Sequence, residues 1–400
     1  MFSQIILAVL LGITAGIVTG LIPGIHINLV SLLVLSSSAF LLQFFPLVAV
    51  ACFIISMSVT HTFLDSIPSI YLGAPDSAQA LGVLPGHRYL LAGHGYTALK
   101  LTVIGSFGAI ILSILLFPLF LPVVKYGYEF ISAYIGYILL LVVVFMVWTD
   151  QKKLWALFVF LLSGTLGYIV LNMETLENPL FPLLSGLFGI ATLIYSINSN
   201  EAMPKQKIEN YVKLKPKLAL KALLSGQFSG FLTAVLPGIG ASTAAILSLQ
   251  FTRDLGDKGF MILIGSINTV NFTLSLLTLY VLEKARNGAV IVVQELLQSI
   301  TLIQVMAFLS VALVAGSAAV FLALKIGKTF SKLISKVDYK KLVLSVIIVI
   351  AILVFALTGF IGAFILAIST AVGLIPAIVK VKRTHAMGCI LLPVMLYFLF

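Results

Sequence analysis

Of the 400 residues, 61% are apolar and only 9% charged, the mean hydropathy is +1.19, and the net charge is +11. A soluble domain carries about 25% charged residues, so a water-soluble fold is excluded. The apolar runs are unbroken rather than alternating, which also excludes a β-barrel and leaves an all-α polytopic membrane protein.

In chain order, Gln4–Leu21 and Ile25–Phe44 read as two arms of a helical hairpin folded at Pro23-Gly24. Pro removes a backbone donor and Gly frees the dihedrals, so the helix breaks there. Spans are predicted at about 46–64, 99–121, 128–148, 154–171 and 180–197. A polar linker, 198–217, follows. A second hairpin, Leu218–Leu236 and Ile239–Phe251, folds at Pro237-Gly238. Spans at about 259–282, 300–324, 342–358, 360–379 and 386–400 complete the chain. Cys52 and Cys389 fall inside apolar runs and read as core packing.

The two hairpins carry nearly the same words, Gly16-Ile-Val-Thr-Gly-Leu-Ile-Pro-Gly-Ile25 and Gly230-Phe-Leu-Thr-Ala-Val-Leu-Pro-Gly-Ile239. Each places a Thr four residues before the Pro-Gly pair. The chain therefore reads as a duplication, with a first transmembrane repeat at 1–197 and a second at 218–400. With the hairpins re-entrant rather than fully crossing and the linker on the cytoplasmic side, all but Lys125, Lys284 and Arg286 of the 24 basic residues fall inside, which puts both termini outside. An odd number of spans between the hairpins makes the repeats inverted. The basic residues follow loops rather than an aromatic-laced stripe, so nucleic acid is not the partner.

A helix broken at membrane depth leaves free N–H and C=O groups that only protein or a cavity can satisfy. Paired breaks in two inverted halves point to a transporter's substrate site, with one repeat rocking against the other to give alternating access. After each turn the new half-helix opens with His26 and Asn28, or with Gly240, Ser242 and Thr243. Bare helix N-termini carry partial positive charge and suit an anionic group. Pro23, Gly24, His26, Asn28, Pro237, Gly238, Gly240, Ser242 and Thr243 are the expected substrate contacts.

Thr60-His61-Thr62-Phe63-Leu64-Asp65-Ser66 ends the third apolar run, and Asn268–Ser275 is its counterpart when Tyr71 is aligned with Tyr280. That register pairs Thr62 with Asn271, which joins the substrate contacts. His61 and Asp65 are spaced i, i+4 on one helix face. An ionisable pair in a membrane span is functional by default, and His titrates near neutral pH, so this pair is the expected ion-coupling element. The alternative is that both simply face water at the interface. The segment Gly73–Gly95 is too rich in Pro, Gly and apolar residues for a plain connector and reads as re-entrant or cavity-lining. Its fixed cation, Arg88, either pairs an anionic substrate or is one more inside charge. No metal-ligand spacing, Walker A sequence or Gly-x-Ser-x-Gly elbow occurs, so no metal, cofactor or enzymatic activity is expected.

At these residues the chain resembles the TctA family, the large permease subunit of tripartite tricarboxylate transporters. Gly16, Gly20, Pro23 and Gly24 match the first copy of its Pro-Gly motif, and Pro237-Gly-Ile-Gly-Ala-Ser-Thr-Ala-Ala245 resembles the second. Leu84-Pro-Gly-His-Arg-Tyr-Leu-Leu-Ala-Gly-His-Gly-Tyr-Thr-Ala-Leu99 resembles its Arg-Gly-containing loop. The chain departs from the family at His26 and in the short second-half loop Glu283–Gly288. The resemblance implies an ion-driven carboxylate importer in the cell membrane, working with an extracellular binding protein and a small membrane subunit. Pairing with a second copy as a homodimer is left open.

The expected function is secondary transport of an anionic substrate, a carboxylate, coupled to protons or sodium. Two other readings use the same helix ends. One is a translocase for a polyprenyl-phosphate-type lipid. The other, an intramembrane lipid phosphatase with His26 as nucleophile or acid, lacks clustered carboxylates beside that His.

Overall fold

The computed structural model describes residues 2–22, 27–73, 83–176, 178–197, 204–235, 241, 244–245, 248, 252, 255–285, 287–336 and 338–400. Among them the chain is all-helical, as its apolar runs require, because backbone groups in lipid must be satisfied within the segment. The helices are α1 (Phe2–Leu21), α2 (Ile27–Ser36), α3 (Ser38–Leu41), α4 (Leu47–Leu64), α5 (Ser66–Tyr71) and α6 (Val83–Leu91). Then come α7 (Gly95–Ser132), α8 (Ile135–Trp148), α9 (Lys153–Leu171), α10 (Leu180–Leu184), a π-helical stretch Ser185–Ile190 and α11 (Ala191–Ile197). The second half holds α12 (Pro216–Val235), α13 (Gly256–Leu282), α14 (Gly288–Leu297), α15 (Leu302–Ile334), α16 (Tyr339–Val379), a 3-10 turn Arg383–Met387 and α17 (Gly388–Leu399). Eight of the described helices are long and apolar enough to cross a membrane.

Helix starts carry the expected chemistry. Thr301 and Gln304 form a capping box at α15, and Asp338 accepts the Lys341 N–H at α16. Several boundaries differ from the sequence reading, two of them at Pro or Gly. α7 runs unbroken through Pro118 and Pro122, so the break expected between 121 and 128 falls instead after Ser132. Pro inside a transmembrane helix is tolerated when neighbours satisfy the freed carbonyls. The break expected near 359 is present as a kink in α16, where Gly359 adopts φ 65° and ψ −160°.

Two helices form the centre. The spanning windows of α4–α5 and α13 are 83% and 89% buried, against 17% to 50% for the other six. α1 lies along α4, and α12 lies along α13. Both approaches need a missing Cβ. One at Gly16 would fall 2.5 Å from the Met57 carbonyl oxygen, and one at Gly230 would overlap Val270. The halves then interlock, because α7 packs along α13 while α15 packs against α4. Where α7 meets α13, Ser106 donates to the Gly265 carbonyl and Ser266 donates to the Gly105 carbonyl, each at 3.1 Å. Helices α8 to α11, α16 and α17 pack chiefly on one another.

Candidate functional site

The central pair α4–α13 carries a buried polar seam. Thr60, His61, Thr62, Asp65 and Ser66 on one side and Asn268, Thr269, Thr273 and Ser275 on the other are all withdrawn from solvent. Most of these groups are hydrogen-bonded, as burial in a membrane span favours, whereas Thr60 Oγ1 has no hydrogen-bond partner among the described residues. Thr62 Oγ1 donates to the Val59 carbonyl at 2.8 Å and lies 3.2 Å from Thr269 Oγ1 across the helix pair. Further along, Gln227 of α12 donates to Ser113 of α7 at 3.0 Å, and Thr273 donates to the same Ser113 at 3.1 Å.

The two titratable residues on α4 are tied to different helices. His61 is 3% exposed, and its Nδ1 lies 3.1 Å from Thr19 Oγ1 on α1. Thr19 donates its own proton to the Gly16 carbonyl at 3.3 Å, which leaves an oxygen lone pair for the ring N–H. Asp65 is 2% exposed and accepts from Asn268 Nδ2 at 2.6 Å, a short bond. The water-facing alternative for His61 and Asp65 is therefore ruled out by burial. In the register that pairs Tyr71 with Tyr280, their counterparts are Val270 and Leu274, both buried and apolar. The titratable pair belongs to the first half alone.

The sequence profile of the tripartite tricarboxylate transporter TctA family matches residues 6–388, nearly the full length of this seam-bearing helical chain. The chain belongs to the TctA family. An uncharacterized protein of Methanocaldococcus jannaschii is 32% identical over 98% of this chain and 99% of its own. No solved structure matches. As a TctA protein, the chain is a multi-pass membrane component of a transporter, from a family that works with a membrane partner and a substrate.

Most of the remaining expected contacts of this TctA chain are not among the described residues. Pro23, Gly24, His26, Pro237, Gly238, Gly240, Ser242 and Thr243 lie outside the described residues, and Asn28 is placed in α2 by its backbone alone. Their described flanks are inside the protein: Ile27, Ser31, Ala241, Ala244 and Ala245 are all buried. Arg88 on α6 is exposed and donates to Asp257 Oδ1 at the start of α13, at 3.0 Å. An exposed pair of this kind contributes little to stability. Asn271 lies on α13, partly buried, three residues beyond Asn268.

The local pattern of α4 names neither Thr19 nor Asn268. The signal for Thr19 was its fixed distance from Pro23-Gly24, repeated by Thr233. For Asn268 it was an amide, paired with Asn271 three residues on, in a helix rich in hydroxyls. A second buried pair was also missed. His385 Nε2 lies 2.9 Å from Asp150 Oδ2, joining the loop after α8 to the turn before α17.

Proposed function

We propose that this chain is the permease of a secondary carrier that moves a small carboxylate, driven by protons or sodium taken at His61 and Asp65. One observation carries the reading: an imidazole and a carboxyl group are buried in one of the two most enclosed spanning segments of a TctA chain, each held by a partner from another helix. Burying ionisable groups in a membrane is costly and is kept where it serves transport. Thr19 lies four residues before Pro23, so the bond to His61 links ion binding to the first Pro-Gly turn. The two turns, in halves 1–197 and 218–400 of inverted orientation joined by a cytoplasmic linker, offer helix N-termini to the carboxylates. His26, Asn28, Ser242 and Thr243 supply hydrogen-bond donors beside them. In this reading Arg88 and Asn271 serve the path to the site, and both termini face outward.

The test is uptake of labelled citrate into vesicles holding the purified protein, under imposed proton or sodium gradients. Gradient-driven uptake should fall at least about tenfold in His61→Asn and Asp65→Asn, a barrier change of about 1.4 kcal/mol. Gradient dependence that survives both substitutions would remove the pair from coupling. Transfer of a labelled polyprenyl phosphate between leaflets, with no citrate uptake, would replace the carboxylate reading with the lipid-carrier one.

A further inference from the structure

The helices sort into two groups that do not follow the sequence halves. One group is α1, α2, α4 to α7 and α12 to α15, which carries the whole polar seam. The other is α8 to α11, α16 and α17. Among the described residues, close helix-along-helix packing occurs within each group, and only sparse contacts join one to the other. Both groups draw helices from both halves of the chain.

Each group is firmly tied inside. In the first, Tyr71 of α5 donates to the Gly327 carbonyl of α15 at 3.2 Å, and α7 and α13 exchange the paired serine bonds described above. The linker is strapped to the same group: Gln206 accepts the Gly95 N–H and donates to the Leu90 carbonyl, both at 2.9 Å. Lys100 donates to the Glu209 carbonyl at 2.6 Å, and Lys258 to that of Lys213 at 2.8 Å.

The second group is stapled across the halves. Asp150 accepts the Lys152 N–H at 3.0 Å through one oxygen, and the Lys382 N–H at 3.3 Å and the His385 ring through the other. Lys152 Nζ donates to the Val379 carbonyl at 2.8 Å, Ser163 donates to the His385 carbonyl at 3.3 Å, and Arg383 donates to Thr192. Backbone meets backbone here, since a Cβ at Gly167 would overlap the Cys389 carbonyl and one at Gly373 the Leu187 carbonyl. Between the groups the contacts are of another kind: Leu72 and Leu91 lean on the apolar cluster of Ile190, Leu193 and Leu366. An apolar contact of this kind has no fixed geometry to hold it in one register. The chain crosses between groups at 132–135, between 197 and the strapped linker, and at 334–339.

We infer that these two groups are the rigid bodies of the transport cycle, so that the seam-bearing body moves as a unit against a scaffold stapled by Asp150 and His385. This rests on the transport reading and replaces rocking of one sequence half against the other. A site held wholly within one body travels with it, whereas a site between two rocking halves is opened from either side.

The test uses spin-labelled cysteine pairs in lipid nanodiscs, with the buried Cys52 and Cys389 replaced by Ala. The within-body pairs are Lys221→Cys with Lys328→Cys and Gln151→Cys with Lys380→Cys. The cross-body pairs are Lys221→Cys with Lys380→Cys and Lys328→Cys with Gln151→Cys. Distances are measured at pH 8 and pH 5.5, with and without sodium citrate. Both cross-body distances should shift or split by at least about 5 Å, one helical turn, while both within-body distances stay single. Within-body movement as large as the cross-body movement overturns the inference, as do four unchanged distances. If the cross-body pairs move but vesicles take up no citrate, the two-body division stands and the carboxylate reading falls.

Discussion

Asn268, on the second half of the chain, donates its amide N–H to the carboxylate of Asp65, on the first, at 2.6 Å. The bond crosses the two most enclosed helices and ends on a group that a membrane interior tolerates only with a partner. Asn268→Ala removes the donor and leaves the carboxylate buried. Leaving a buried polar group without this bond costs about 1–3 kcal/mol, so the variant should melt several degrees below the parent in detergent. Equal melting temperatures would mean that Asp65 does not depend on this bond.

Asp150 and His385 should make stability depend on pH. Burial alone would raise the Asp150 carboxyl, but the Lys152 N–H, the His385 ring and the Lys382 N–H together hold it below the ordinary value. Burial pulls His385 below 6.5, and Asp150 restores only part. Both groups have a folded value below the unfolded one, so their contribution is full above pH 6.5 and is lost as pH falls, first at His385 and then at Asp150. His385→Gln keeps a donor for Asp150 without the titration. Its melting temperature should therefore fall less between pH 7 and pH 5 than that of the parent.

His87 on α6 adds a separate acid limb. Burial pulls its imidazole down to about 4, against a smaller upward pull from its backbone hydrogen bond to Ile70. The unfolded chain takes up this proton first, so stability should drop by about 3 kcal/mol as pH falls from 6.5 to about 4. His87→Gln should flatten that fall in an unfolding curve measured across the range. An unchanged slope would assign the acid sensitivity elsewhere.

Two glycines should fail for different reasons. At Gly359 nothing lies within 4 Å of an added Cβ, yet φ is 65°, so Gly359→Ala carries only a backbone cost of about 1–3 kcal/mol. At Gly167 the added Cβ would overlap the Cys389 carbonyl, and the α9–α17 contact must open to admit it. Gly167→Ala should lower folded yield further than Gly359→Ala, read by size-exclusion recovery after extraction. The reverse order would contradict the close approach of those helices.

Much of the architecture was legible because the bilayer leaves few choices. Apolar runs must become helices, and an isolated Gly in such a run marks where one bends, as Gly359 does. The gap expected between 121 and 128 is closed instead, because Pro118 and Pro122 both sit inside α7, where neighbouring helices can satisfy the freed backbone. That His61 and Asp65 share a helix face was legible from their spacing, but their burial was left open against a water-facing place at the interface, and their partners did not follow at all. Thr19 lies 42 residues from His61 and Asn268 lies 203 from Asp65, and helical periodicity reports only which face a residue occupies.

From the residues alone came the membrane class, the repeated Pro-Gly words, the family likeness and the identity of the titratable pair. These depend on local composition and on words repeated along one chain. The interlocking of α7 with α13 and of α15 with α4, and the Asp150–His385 staple, were decided only in three dimensions. Helices of similar apolar content have no sequence label for their neighbours. Which surfaces meet is settled by where a glycine lets two backbones touch and where a buried polar group finds its partner.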